Sequence, residues 1–153
     1  MNYEPNAKVA IYSQSFYSFN VKCYALTLYV PKVIPYDFVF DYLPQNVIIK
    51  RMFGMHYIYL NKKIVLILRK ASKNLDMNGV WVATSKEHHQ SLEKEIPALG
   101  DFVLDNGEMH DSDWRLVKHD HDDFEEAAIK ICELIAHGDK RIGKETKAGA
   151  MLE

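Results

Sequence analysis

Val47-Ile48-Ile49-Lys50-Arg51-Met52-Phe53-Gly54-Met55-His56-Tyr57-Ile58-Tyr59-Leu60-Asn61-Lys62-Lys63-Ile64-Val65-Leu66-Ile67-Leu68-Arg69 is the stretch on which the fold turns. Residues 47 to 60 are rich in β-branched and aromatic side chains, Asn61-Lys62 has turn composition, and Ile64 to Arg69 is a near-continuous apolar run of strand length. The spacing predicts a β-hairpin. The polar segment that follows ends in Asn78-Gly79, after which Val80-Trp81-Val82-Ala83 predicts a third strand of an antiparallel sheet.

Working outward, Pro35 at a first helical position and the spacing of Tyr36, Phe40 and Leu43 predict a short helix before the hairpin. Beyond the third strand, Thr84 and Glu87 have capping-box spacing and open a helix that runs to about Ile96, where Pro97 and Gly100 stop it. Phe102 to Leu104 and Trp114 to Lys118 read as two strands around a long polar loop. The last helix has its signals in order: Asp122 with Glu125 or Asp123 with Glu126 at the start, a stripe of Phe124, Ala127, Ala128, Ile131, Leu134 and Ile135, and Gly138 just past the end. Together these elements predict a single-domain α+β fold, an antiparallel sheet with helices packed on it. Residues 35–138 form that domain. Residues 1–34 are an N-terminal extension in which Val21 to Val30 has strand composition, and residues 139–153 are a polar tail expected to fray.

The charge is unevenly distributed. Tyr42 to Leu75 contains no Asp or Glu but seven cations, Lys50, Arg51, Lys62, Lys63, Arg69, Lys70 and Lys73, whereas Asp76 to His137 holds fifteen carboxylates against five cations. A formal net charge of −2 therefore conceals a dipolar chain. Such a basic segment either attracts an anionic partner or is neutralised by the acidic half of its own domain.

Other features bound the function. No apolar run approaches the ~20 residues that span a bilayer, the N-terminus has no continuous apolar segment after its first lysine, and Cys23 and Cys132 are far apart without metal or redox spacing. These features predict a cytoplasmic protein without membrane partners and with buried thiols. The nucleophile elbow, phosphate-cradling glycine loop, dinucleotide fingerprint and His-Glu-x-x-His helix are all missing from the sequence. Ser85 near His88 and His89 reads as a helix cap. His110, His119 and His121, interleaved with aspartates, are the one concentration of metal-ligand types, and a His-Asp-His triplet in extended backbone would place two imidazoles on one side. Their spacing matches no closed zinc site, so no metal or other cofactor is expected.

Lys50-Arg51-Met52-Phe53-Gly54, with the strand, turn and apolar strand that follow it, resembles the TfoX N-terminal-domain family. Val80-Trp81-Val82, Pro97-Ala98-Leu99-Gly100-Asp101-Phe102 and Trp114-Arg115-Leu116-Val117 continue that pattern, which is also similar to the YjbR-like proteins. The likeness spans roughly Tyr36 to His137. It implies a small α+β domain, linked in some members to regulation of competence genes, and in YjbR-like members to a DNA-binding role suggested from fold. It does not imply catalysis.

Three functional readings follow. The first is a non-enzymatic interaction or regulatory module with a protein partner, in which Arg51, Met52, Phe53 and Gly54 are structural: Met52 and Phe53 in the core, Gly54 at a bulge, Arg51 paired with a carboxylate. The second is a DNA-binding accessory protein using Lys62, Lys63, Arg69, Lys70 and Lys73, with Tyr57 or Tyr59 to stack on bases. The third is a metal-dependent enzyme centred on the three histidines. A homodimer formed by strand pairing near the N-terminus is compatible with the first two.

Overall fold

The hairpin stretch forms three strands rather than two. In the computed structural model, which describes residues 33–103, 109–110 and 112–152, β1 (Ile48–Met52), β2 (Met55–Leu60) and β3 (Lys63–Arg69) run as an antiparallel meander. Both connections are two-residue turns. Phe53 and Gly54 (φ 53° and 75°) join β1 to β2, and Asn61 and Lys62 (φ 51° and 68°) join β2 to β3, the paired positive φ that a I′ hairpin turn requires. Composition alone favours one strand over residues 47–60, because Phe53 is a strand-type residue and only Gly54 is a turn-type one.

β4 (Gly79–Val82) pairs with β3, β8 (Arg115–Lys118) with β4, and β5 (Leu99–Gly100) with β8, so the sheet order is β1-β2-β3-β4-β8-β5. Every pairing is antiparallel. A seventh strand, β9 (Lys144–Glu145), joins β3 at Lys63 and Ile64, where β4 has already ended. β6 (Phe102–Val103) and β7 (Met109–His110) make a separate two-stranded ribbon. The chain is thus an α+β fold built on a seven-stranded antiparallel sheet, and residues Ile34–Glu153 form one compact unit.

The continuous apolar run of β3 is explained by cover on both of its faces. A bulge between Ile58 and Tyr59 directs Val65, Leu66 and Leu68 to one face and Ile64 and Ile67 to the other. On the first face Ile58, Val80, Val82 and Val117 pack with Leu92 and Ile96 around α1 (Lys86–Glu95) and with Ala128, Ile131, Cys132 and Ile135 of α2 (Phe124–Ala136). A 3-10 helix over Asp37–Asp41 adds Val39, and Tyr36 anchors it by donating its hydroxyl to the Arg69 carbonyl (3.1 Å) and meeting Phe124 edge to face. Burial pushes the Tyr36 hydroxyl up to about 12, so it remains a donor. Cys132 is buried as a thiol, its pKa likewise raised by burial to about 12.

On the second face Tyr59, Ile64, Ile67 and Ala83 pack with Trp81 and Trp114, and with Ala148 and Leu152 of the C-terminal segment. This corrects the expectation that residues 139–153 fray. β9 is followed by a short helix α3 (Lys147–Ala150), capped by the Thr146 hydroxyl, which accepts from the Gly149 amide (2.9 Å). Burying Leu152 alone contributes about 2 kcal/mol.

Helix ends follow the sequence in part. α2 ends at Gly138 with amides of Gly138 and Asp139 donating back to Ile135 and Leu134, a Schellman closure. Neither α1 nor α2 is capped as its acidic spacing suggested: Thr84 donates to the Arg141 carbonyl (2.7 Å), and the Asp123 amide donates to Nδ1 of His121 (3.0 Å). The strand composition of Val21–Val30 falls outside the described residues.

Candidate functional site

The tip of the β1–β2 hairpin reverses the expected role of its central residue. Phe53 is 88% exposed, and its ring makes no core contact. A bulky side chain with φ 53° costs on the order of 1 kcal/mol of backbone strain, and here no burial offsets it. Met52 is half-buried, and Gly54 forms the turn rather than a bulge. Ile48, Ile49 and Arg51 on β1 are also exposed, and β1 is an edge of the sheet among the described residues. Strand edges with apolar side chains are places where partners add.

Among the described residues the basic stretch makes no ion pair with the acidic half of the chain: none of its seven cations lies within ion-pair distance of a carboxylate, Arg51 included. Arg69 is committed to structure: its guanidinium donates to the carbonyls of Asn74 and Lys73 and to the Asn78 side chain (2.9, 3.0 and 2.7 Å), holding the loop before β4. The remaining four residues of the expected nucleic-acid surface are divided. Lys62 and Lys63 sit at the β2–β3 turn beside the C-terminal segment, whereas Lys70 and Lys73 follow the far end of β3. At ~3.3 Å per residue the two groups are about 20 Å apart along β3. Register puts Arg51 and Phe53 at the Lys70 end, because His56 pairs with both Arg51 and Leu68.

His56 lies beneath this tip. It is only 6% exposed, and its Nδ1 is buried without a hydrogen-bond partner. Burial, and secondarily the charge of Arg51, hold its pKa below the ordinary imidazole value. Tyr57 is half-buried, and Tyr59 is fully within the second core, so of the two only Tyr57 has any ring surface to offer a base.

A second polar cluster, which sequence reasoning missed, ties α1 to the sheet. Nε2 of His89 donates to the Asp113 carbonyl (2.7 Å), which leaves Nδ1 to accept from the Arg115 guanidinium. Arg115 also donates to Asp101, and its buried Nε, without a hydrogen-bond partner, faces Glu93 at 3.7 Å. Nearby, Arg141 bridges Asp139 (2.7 Å) and Glu95 (2.9 Å), and Lys144 donates to Asp113 (2.7 Å). Those hydrogen bonds hold the Asp139 and Asp113 carboxyls below the usual range and raise that of the Arg141 guanidinium. The cluster pins α1 and β9 in place. Its members are scattered along the chain, and no local spacing signals them.

The extended His-Asp-His backbone that would place two imidazoles on one side does not form. His119 and His121 lie in the turn after β8 and not in extended backbone, both exposed, and His121 is engaged with the start of α2. Among the described residues no group of three or more His, Cys, Asp or Glu is arranged to hold a metal ion. No helix among them is long and apolar enough to cross a membrane.

A groove of about 540 Å³ lies between the end of α1 and the exposed face of α2. Buried Ile96 and Ala127 form its floor, Pro97, Ala98 and Ile129 its walls, and Glu95, Asp123, Glu126, Lys130 and Glu133 its rim. Glu95 is shared by Arg141 and Lys130, but Asp123, Glu126 and Glu133 have no cation within ion-pair distance among the described residues. No family model matches the chain, and neither a curated protein nor a solved structure matches it.

Proposed function

We propose that this chain is a non-enzymatic, cytoplasmic interaction or regulatory module of the TfoX N-terminal-domain kind, and that it docks through the β1–β2 hairpin tip. The observation that carries the reading is Phe53, strained and exposed beside an Arg51 that has no carboxylate partner among the described residues. A strained aromatic without packing is an internal cost, and such positions cluster where a partner recovers it. A part in competence or transcription regulation is what the family resemblance implies. The test is a photo-crosslinking phenylalanine analogue placed at position 53 and, separately, at position 62. A discrete adduct in cells from position 53, lost with Arg51→Glu, supports the reading. Equal adducts from both positions, or none from 53, would reject it.

A second reading is direct DNA binding. It is favoured by the clustering of Arg51, Lys70 and Lys73 at the end of the sheet that carries Phe53, since an exposed ring among cations suits an unpaired base and its phosphates. An oligonucleotide titration against salt discriminates the two. DNA binding through this end weakens steeply with salt and responds to Lys70→Ala/Lys73→Ala rather than to Lys62→Ala/Lys63→Ala.

A further inference from the structure

We infer that the hairpin tip of one copy of this chain docks into the α1–α2 groove of a second copy, seating Phe53 against Pro97, Ala98 and Ile129 and Arg51 against the acidic rim. The inference rests on the docking role of the tip proposed above and names its occupant. Two complementary features of the surface lead to it, and neither is satisfied among the described residues of one chain. The first is a benzyl group that is 88% exposed, so it occupies no cavity of its own molecule. The second is a groove of about 540 Å³ whose accessible apolar lining is Pro97, Ala98 and Ile129, above the buried Ile96 and Ala127, a volume within the range that takes small apolar groups.

Charge selects the same pairing. Lys50 and Arg51 precede the ring in β1, and among the described residues none of the cations of that segment lies within ion-pair distance of a carboxylate. The groove presents Asp123, Glu126 and Glu133 without ion-pair partners among the described residues, and an adjoining smaller recess that shares Asp123, Glu126 and Ile129 adds Asp122 and Glu125. Opposed patches of this kind steer association and set its orientation, and an aromatic anchor in a pocket supplies most of the affinity. The neutralisation that the dipolar sequence invites therefore occurs between chains. Because tip and groove are different surfaces, a single tip-in-groove contact is head-to-tail and leaves one copy with an unused groove and the other with an unused tip.

That asymmetry gives a decisive test by sedimentation velocity of the full chain. Wild type is expected to form species larger than the monomer at low ionic strength and to dissociate at about 0.5 M salt, where the Debye length falls to a few ångströms. Phe53→Ala or Arg51→Glu, and separately the double variant Glu126→Lys/Glu133→Lys, each remain monomeric alone. All change exposed side chains, and circular dichroism checks that the fold is kept. Mixed one to one, a tip variant still offers its groove and the groove variant still offers its tip, so the mixture forms a heterodimer that cannot grow. A monomeric wild type, or a mixture that stays monomeric while wild type associates, overturns the inference. If position 53 crosslinks a different protein while wild type remains monomeric, the docking role of the tip survives and self-association is rejected.

Discussion

The carbonyl oxygen of Lys62 lies 2.1 Å from the point where a β-carbon on Gly149 would stand, so the C-terminal segment rests on the β2–β3 turn with no room for a methyl group. Gly149→Ala must displace either backbone, and is expected to cost about 2 kcal/mol, within the usual range for overpacking. Urea denaturation measures the loss, and limited proteolysis should show earlier cutting after Ile142. An unchanged midpoint would mean that the segment shifts freely.

Phe53→Asn should raise stability by about 1 kcal/mol, since Asn-Gly is the favoured pair for a two-residue turn with positive φ at both positions. The same variant should lose the position-53 docking function. A drop in the urea midpoint would show that the exposed ring contributes packing after all.

Removing the Arg115 side chain strands Asp101 and takes the donor from Nδ1 of His89. Because Asp101 is about one-third exposed, solvent softens the penalty. Arg115→Ala should therefore cost about 2 kcal/mol, and Arg115→Met less, because the buried stem is kept. Chemical denaturation of the two variants side by side checks both the sign and the order.

His56 should titrate below the ordinary imidazole value when its ring protons are followed by NMR, and Arg51→Gln should move it upward by removing a neighbouring positive charge. With the folded pKa depressed, the unfolded chain binds more protons. Its contribution to stability is thus complete above the ordinary value of about 6.5 and declines as pH falls towards the folded pKa. His56→Phe should flatten that part of the stability profile. A His56 titration unaffected by Arg51→Gln would remove Arg51 as a cause of the shift.

The elements that were legible in the sequence are those whose signals are local. α2 carried its own periodic stripe and its Gly138 stop, and β3 its apolar run, so the α+β class followed from short windows. Phe53 misled because its residue type favours a strand, whereas its backbone is set by the register Met52 to Met55 on either side of the turn. Residues 139–152 looked polar because only Ile142 and Leu152 are buried apolar side chains, while much of the attachment is backbone pairing of Lys144 and Glu145 to β3. The basic surface was found as a composition but split in space, since β3 carries its two groups of lysines to opposite ends. His89 and Arg115 meet only because α1 and β8 do.

The pairing of Ile64 with Lys144 also sets an order of assembly. β1, β2 and β3 are joined by two-residue turns and can form while the chain is short, whereas closing the loop from residue 64 to 144 carries a larger entropic cost and comes late. During synthesis Tyr59, Ile64 and Ile67 therefore wait for Leu152, which emerges long after them. For that interval the nascent meander presents an aromatic and aliphatic face with no cover, and holding chaperones have their natural substrate there.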